Sequence, residues 1–257
     1  LLHRIFTILL FFTLLLGQQT VQAGFFTAKS WIVSDLNGTL IDGKDVDKVR
    51  PIASITKLLT VMVVMDVNPS MDQKLTLTTK LRDRLPVKNQ SLSRADLISM
   101  TIIHSNNRAA YTLCENYPGG MTACVKAMND KLKKLKMEKS IVYEPTGLDE
   151  RNVSTARELV ILTKAAAEYS NIVYASRKSE VKIQVKKKWF VFRNTNPMIG
   201  HYQNVIVSKT GFINESGGCI TLLLDTSVGD RVIVVLGSKN TKTRIPEAEF
   251  IYEVYKD

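Results

Sequence analysis

The sequence predicts a mixed α/β fold, an antiparallel sheet flanked by helices with a helical subdomain inserted between its strands. Three observations carry that expectation. Residues 29–42 read as a strand hairpin, residues from about 67 to 180 read mostly as helices, and the chain then returns to a period of two before a last helix. The two strand groups sit at opposite ends of the chain, and each needs the other to complete one sheet.

The hairpin is marked by Trp31, Val33 and Asp35 alternating with Ile32 and Ser34, and by Asn37-Gly38, a tight-turn pair. A helix is predicted next, within Pro51 to Asp66. Its apolar residues Leu58, Leu59, Val61, Met62, Val63, Val64 and Met65 cover every side of a helical wheel. A helix apolar all round belongs in a core. Asn68-Pro69 stops it.

From Met71 to Gln90 the chain is polar, with a short extended piece at Leu75-Thr76-Leu77. Ser93 then caps a helix with Asp96 as its reciprocal partner. Polarity changes abruptly at His104-Ser105-Asn106-Asn107, which predicts a break before a helix over Arg108 to Asn116. After the turn Pro118-Gly119-Gly120 comes a lysine-rich helix to about Met137. Val125, Met128, Leu132 and Leu135 form its buried stripe. Glu144 to Leu148 is a loop, and Ser154 is expected to cap a helix over Thr155 to Tyr169.

Beyond residue 180, Trp189, Val191 and Arg193 alternate with Phe190 and Phe192, and Asn194-Thr195-Asn196-Pro197 turns the chain. Gln203 to Lys209, Cys219 to Asp225 and Arg231 to Gly237 are strand-like, with short glycine-containing links that imply antiparallel neighbours. Pro246 to Tyr255 reads as the closing helix.

The first residues read as an export leader. Arg4 supplies the positive start, Ile5 to Leu16 are too few to span a bilayer, and Val21-Gln22-Ala23 resembles a cleavage site. The expectation is a leader over 1–23 and an exported mature chain over 24–257. The net charge of +11 is partly clustered, at Lys131 to Lys139 and at Lys186-Lys187-Lys188. A solvated helix face is the plainer account of the first cluster; attraction to a polyanion or to anionic lipid heads, a peripheral membrane association, is the functional one. Export and the lack of any nucleic-acid motif argue against nucleic acid. No Cys/His spacing fits zinc, so neither metal nor cofactor is expected. Cys114 and Cys124 flank the Pro-Gly-Gly turn; a bridge across it and two free thiols both fit. Cys114, Cys124 and Cys219 cannot all pair within one chain. Oligomeric state is not legible.

Three short motifs carry the chemistry. Ser54-Ile55-Thr56-Lys57 places a serine and a lysine three residues apart at the start of the buried helix, where i and i+3 meet. A serine hydroxyl needs a base, and burial lowers a lysine's pKa enough for it to serve. Ser105-Asn106-Asn107 falls at a helix break, and Lys209-Thr210-Gly211 at a strand end. Singly each is weak. Ser179-Glu180-Val181-Lys182 repeats the first spacing, and Ser238-Lys239-Asn240 the second. Helix capping and a solvated strand end are the ordinary accounts of Ser105 and Lys209. His104 is read as local packing, because adjacent helical residues do not face each other.

In this order the three motifs mark the penicillin-binding proteins and serine β-lactamases. The segments I-A-S-I-T-K-L-L-T, E-N-Y-P-G-G-M, N-V-S-T-A-R-E-L, N-T-N-P-M and S-K-T-G-F-I-N-E-S-G-G-C resemble the type-seven penicillin-binding proteins, the D-alanyl-D-alanine endopeptidase branch. The resemblance implies a β-lactamase-like fold and a serine DD-endopeptidase or DD-carboxypeptidase acting on peptidoglycan peptides and trapped by β-lactams. It implies that Ser54 attacks the carbonyl, Lys57 takes its proton, and Ser105 relays a proton to the leaving amine. Asn107 and Lys209 would orient and balance charge, and Thr210 would meet a substrate carboxylate. Gly211 would leave room for the substrate, and the Phe212 and Ser54 N–H groups would form an oxyanion hole. Asn194-Thr195-Asn196 would line the cleft. Two alternatives remain, a β-lactamase and a non-catalytic penicillin sensor. Glu144, Glu150 and Glu158 are the local candidates for a deacylating carboxylate, and none stands in an E-x-x-L-N context.

Overall fold

The computed structural model describes residues 26–81 and 90–257. The leader expected over 1–23 and part of the polar stretch before Gln90 lie outside the described residues.

Strands β1 (Ser30–Ser34) and β2 (Leu40–Lys44) form the predicted hairpin, with Gly38 in the left-handed region at its turn. Strands β9 (Val205–Ile213), β10 (Gly217–Leu224) and β11 (Arg231–Ser238) come from the other end of the chain. All five join one sheet in the order β2-β1-β11-β10-β9, with every neighbouring pair antiparallel. Ser30 pairs with Leu236, so both ends of the chain do build one sheet.

Strands β10 and β11 are buried almost throughout because the sheet is covered on both faces. Ile220, Leu222, Leu224, Ile233 and Val235 pack on the closing helix, α7 (Arg244–Tyr255). Leu223, Val232, Val234 and Leu236 face the large core, shared with α1 (Thr56–Asp66) and α5 (Ala156–Ala166). Helix α1 is buried from Thr56 to Val64, as its all-round apolarity predicts. A short 3-10 turn, Ala53–Ile55, precedes it, so Ser54 sits on the turn that feeds the helix.

Between the strand groups lie β3 (Arg50–Pro51), β4 (Lys74–Thr76), β5 (Ser91–Ser93), α2 (Arg94–Ile103), α3 (Asn107–Glu115), α4 (Gly120–Lys134) and β6 (Val153–Ser154). Ser93 and Asp96 make the reciprocal cap. Cys114 and Cys124 are joined, tying α3 to α4 across the Pro-Gly-Gly turn, and Cys219 is a buried free thiol.

The structure corrects several expectations. Thr155, not Ser154, caps α5, because Ser154 pairs with Arg50 in a two-stranded ladder. Helix α5 ends at Ala166, and a separate helix α6 (Ser170–Ser176) follows. Lys131 is not on the wet face of α4, since it is half-buried against Asp66 and Tyr169. Strands β7 (Glu180–Val185) and β8 (Lys188–Arg193) pair only with each other among the described residues, standing apart from the main sheet. Strand β9 continues past Gly211, so Lys209-Thr210-Gly211 lies inside a strand rather than at its end.

Candidate active site

The Ser54 turn is clamped between two glycines. A Cβ on Gly211 would stand 2.9 Å from the Ser54 backbone nitrogen and 3.0 Å from the Ala53 Cβ. On the other side, a Cβ on Gly147 would stand 1.9 Å from the Ala53 carbonyl oxygen. Gly211 is therefore required by the approach of β9 to the serine turn, a different reason from the expected space for a substrate. Ala53 itself holds a φ of 46°, a conformation that costs a non-glycine residue on the order of 1–3 kcal/mol and persists only when surroundings enforce it.

Lys57 is fully buried, and its Nζ meets three oxygens: Ser54 Oγ at 2.7 Å, Asn107 Oδ1 at 2.7 Å and the Thr146 carbonyl at 2.5 Å. Burial lowers its pKa from 10.5 to about 7, partly offset by the negative charge of Glu144. A neutral amine has two N–H groups and one lone pair. Asn107 Oδ1 and the Thr146 carbonyl can only accept, so they take both N–H groups. The lone pair is left facing the Ser54 hydroxyl.

Ser105 occupies the break between α2 and α3 with a φ of 56°, a position where glycine would be easier. Asn106 caps α3 by accepting the Ala109 N–H, which swings Asn107 toward Lys57. Lys209, also fully buried, donates to Ser105 Oγ at 2.9 Å and to the Thr210 carbonyl at 2.9 Å. Burial holds its pKa well below the ordinary lysine value, and the charges of Lys57 and Arg244 push in the same direction.

Ser54, Ser105, Asn107, Thr210, Gly211 and Phe212 line one cavity of about 230 Å³, which Leu148, Thr195, Thr241 and Arg244 complete. The two lysines lie behind its wall on their serines. Thr195 and Thr210 share a hydrogen bond between their hydroxyls at 2.6 Å. The three motifs thus converge, with a serine–lysine pair at each of two corners.

The match to a family model of D-alanyl-D-alanine carboxypeptidases, over residues 17–240, spans the turn, the break and the strand that build this cavity. This chain belongs to the D-alanyl-D-alanine carboxypeptidase family. Within that family it is 38% identical to a D-alanyl-D-alanine endopeptidase of Pseudomonas aeruginosa over 242 residues, covering 90% of this chain and 76% of the relative. It is 36% identical to a D-alanyl-D-alanine endopeptidase of Escherichia coli, covering 85% of this chain and 74% of the relative. Penicillin-binding protein D2 of Listeria monocytogenes, solved in a cefotaxime-bound form, superposes with a TM-score of 0.79 at 30% identity. That match covers 89% of this chain and 97% of the other.

Two roles in this carboxypeptidase-family cleft escaped sequence reasoning. Glu144, read from the sequence only as a candidate deacylating carboxylate, has one. Its carboxylate accepts from the backbone N–H groups of Thr146, Gly147 and Leu148 and from Asn152 Nδ2, which fixes the loop that aims the Thr146 carbonyl at Lys57. The only trace in sequence is a turn-like Glu-Pro-Thr-Gly. Arg244 has the other, donating to the Gly211 carbonyl at 2.6 Å from the start of α7. Of the three glutamates weighed for deacylation, Glu144 is engaged in its own loop, and Glu158 accepts from Lys139 N and Ser140 Oγ. Glu150 is exposed, and among the described residues no glutamate or aspartate lines the cavity. Among the described residues, no three of His, Cys, Asp and Glu converge as a metal site. His104 packs edge-on against Phe192 and contacts the Arg193 carbonyl through Nδ1.

Proposed function

We propose that this chain is a serine D-alanyl-D-alanine endopeptidase that cleaves peptide cross-links in peptidoglycan through an acyl-enzyme. The observation that carries the reading is the place of Lys57 Nζ, 2.7 Å from Ser54 Oγ and held there by two acceptor-only oxygens. Ser54 Oγ attacks the carbonyl of a D-alanyl peptide bond while Lys57 Nζ takes its proton. Ser105, polarised by Lys209, relays that proton from Lys57 to the departing amine, so that both side chains end in their starting protonation states. The Ser54 and Phe212 N–H groups stabilise the oxyanion. The guanidinium of Arg244 and the Thr210 hydroxyl give the cavity its affinity for a carboxylate. Water then releases the product, slowly for a β-lactam adduct, because among the described residues no carboxylate lines the cavity to activate it. Identity to two endopeptidases favours cross-link cleavage over trimming of a terminal D-alanine.

The proposed location is the periplasm, after removal of residues 1–23. The charged, apolar and small-residue pattern of that leader supports it, and so does the Cys114–Cys124 bridge, which suits an oxidising compartment.

Labelled penicillin tests the acylation. A long-lived adduct on Ser54, absent in Ser54→Ala, is expected. Fast turnover without a trapped adduct would reverse the reading toward a β-lactamase. Product analysis on cross-linked and uncross-linked muropeptides then separates endopeptidase from carboxypeptidase, and binding without cleavage of either would mean a sensor.

A further inference from the structure

The β7–β8 hairpin has an inner face and an outer face of opposite character. Ile183, Val185 and Phe192 are buried in the large core. The alternate residues point outward: Lys182 is paired in register with Val191, and Gln184 with Trp189. Trp189 is 64% exposed and Val191 49% exposed. Tryptophan is among the most buried residues on average, so a flat indole left in water beside an amide marks a surface that binds something. The segment 177–193 carries seven lysines and arginines against one acidic residue, Glu180. Its partner is therefore anionic.

The hairpin is also fastened to the cleft. Strand β8 runs into Asn194 and Thr195, and Thr195 lines the cavity. The Thr195 N–H donates to the Ile103 carbonyl at 3.0 Å, and His104, next to Ser105, contacts the Arg193 carbonyl at 3.0 Å. Thr195 lies six positions after Trp189, at most ~20 Å of chain. The outer face is thus carried on the same stretch of chain that lines the cavity.

We propose that this outer face is a platform for the glycan strand of the polymer whose peptide the cleft holds. Trp189 stacks on the C–H face of an N-acetylated sugar. Gln184 meets its amide and hydroxyl groups, and Lys182 and its neighbouring lysines attract the carboxylates that the strand bears. The proposal rests on the peptidoglycan reading above. Continuity with the cleft favours the polymer over a lipid surface, since a strand on the hairpin and a peptide in the cavity belong to one molecule.

The test compares wild type with Trp189→Ala and with the double variant Lys182→Glu/Gln184→Ala, all exposed positions outside the cleft. Co-sedimentation with insoluble peptidoglycan reads the hairpin, and cleavage of a sugar-free cross-linked peptide dimer reads the cleft. The expected result is binding and polymer cleavage lowered about tenfold in either variant, with dimer cleavage and penicillin acylation unchanged. Unaltered co-sedimentation in both variants would overturn the proposal. So would an equal loss on polymer and dimer, which would mean that the hairpin acts only by shaping the cavity. Trp189-dependent capture by phosphatidylglycerol vesicles, without any effect on polymer binding, would reassign the face to lipid. If wild type cleaves neither substrate but still sediments through Trp189, the platform stands and the endopeptidase reading falls.

Discussion

Lys57 Nζ and Lys209 Nζ end on the two serines of one cleft, 2.7 Å from Ser54 Oγ and 2.9 Å from Ser105 Oγ. Both amines are buried, and a charge on Lys57 opposes one on Lys209. The site therefore works with at least one of them neutral.

Acylation should follow the neutral fraction of Lys57. Its pKa of about 7 predicts a rate that climbs as pH rises through 7 and then levels. Measuring penicillin acylation from about pH 5 to 9 checks this. Lys57→Arg, always charged, should lose at least ~1000-fold.

Glu144 raises the Lys57 pKa by its negative charge. Glu144→Gln should therefore move the rising limb of the acylation profile to lower pH. An amide oxygen in the place of Oε1 still accepts from Gly147 and Leu148, while the bonds from Thr146 to Oε2 are lost, so a melting curve is read beside the profile. An unmoved limb would show that this carboxylate acts only as a scaffold.

Stability should also depend on Lys57. Its folded pKa lies below its unfolded value of 10.5, so between about 7 and 10.5 the unfolded chain binds more protons. Stability contributed through this group rises with pH across that window and is lost as pH falls through 7, by about 1 kcal/mol per pH unit. Compared with Lys57→Met, wild type should gain thermal stability between about pH 7 and 9.5. Parallel melting curves for the two proteins over that range would refute the burial argument.

Gly211→Ala places a methyl 2.9 Å from the Ser54 nitrogen. Relieving that overlap costs about 1–3 kcal/mol and pushes the turn away from β9. The expected result is a folded protein whose acylation is slowed about 100-fold, read by adduct formation beside a melting curve.

Much of this was legible in the sequence, for identifiable reasons. The hairpin, the capped helix α2 and the uniformly apolar α1 follow local rules of turn, cap and periodicity. Ser54 with Lys57, and Ser105 with Asn107, are local pairs placed by one helix and one helix break. What escaped is non-local. Arg244 reaches Gly211 only after two further strands set the start of α7 beside β9. The Thr146 carbonyl carries no side-chain signal at all, since any residue has one. Gly211 and Gly147 were visible as glycines, but the neighbour each must clear lies on another element. The β7–β8 hairpin reads as period two whether or not it joins the main sheet. Ser154 and Thr155 are both good caps, and only the pairing of Ser154 with Arg50 decides between them.

The pairing of Ser30 with Leu236 has a kinetic consequence. As the chain is synthesised or threaded, its first two strands must wait for the last one before that edge is satisfied. Closing so long a loop is slow and leaves Ile32 and Val33 uncovered meanwhile. Refolding should lag well behind helix formation, and a truncation that removes Arg231–Ser238 should aggregate rather than leave a helical remnant in solution.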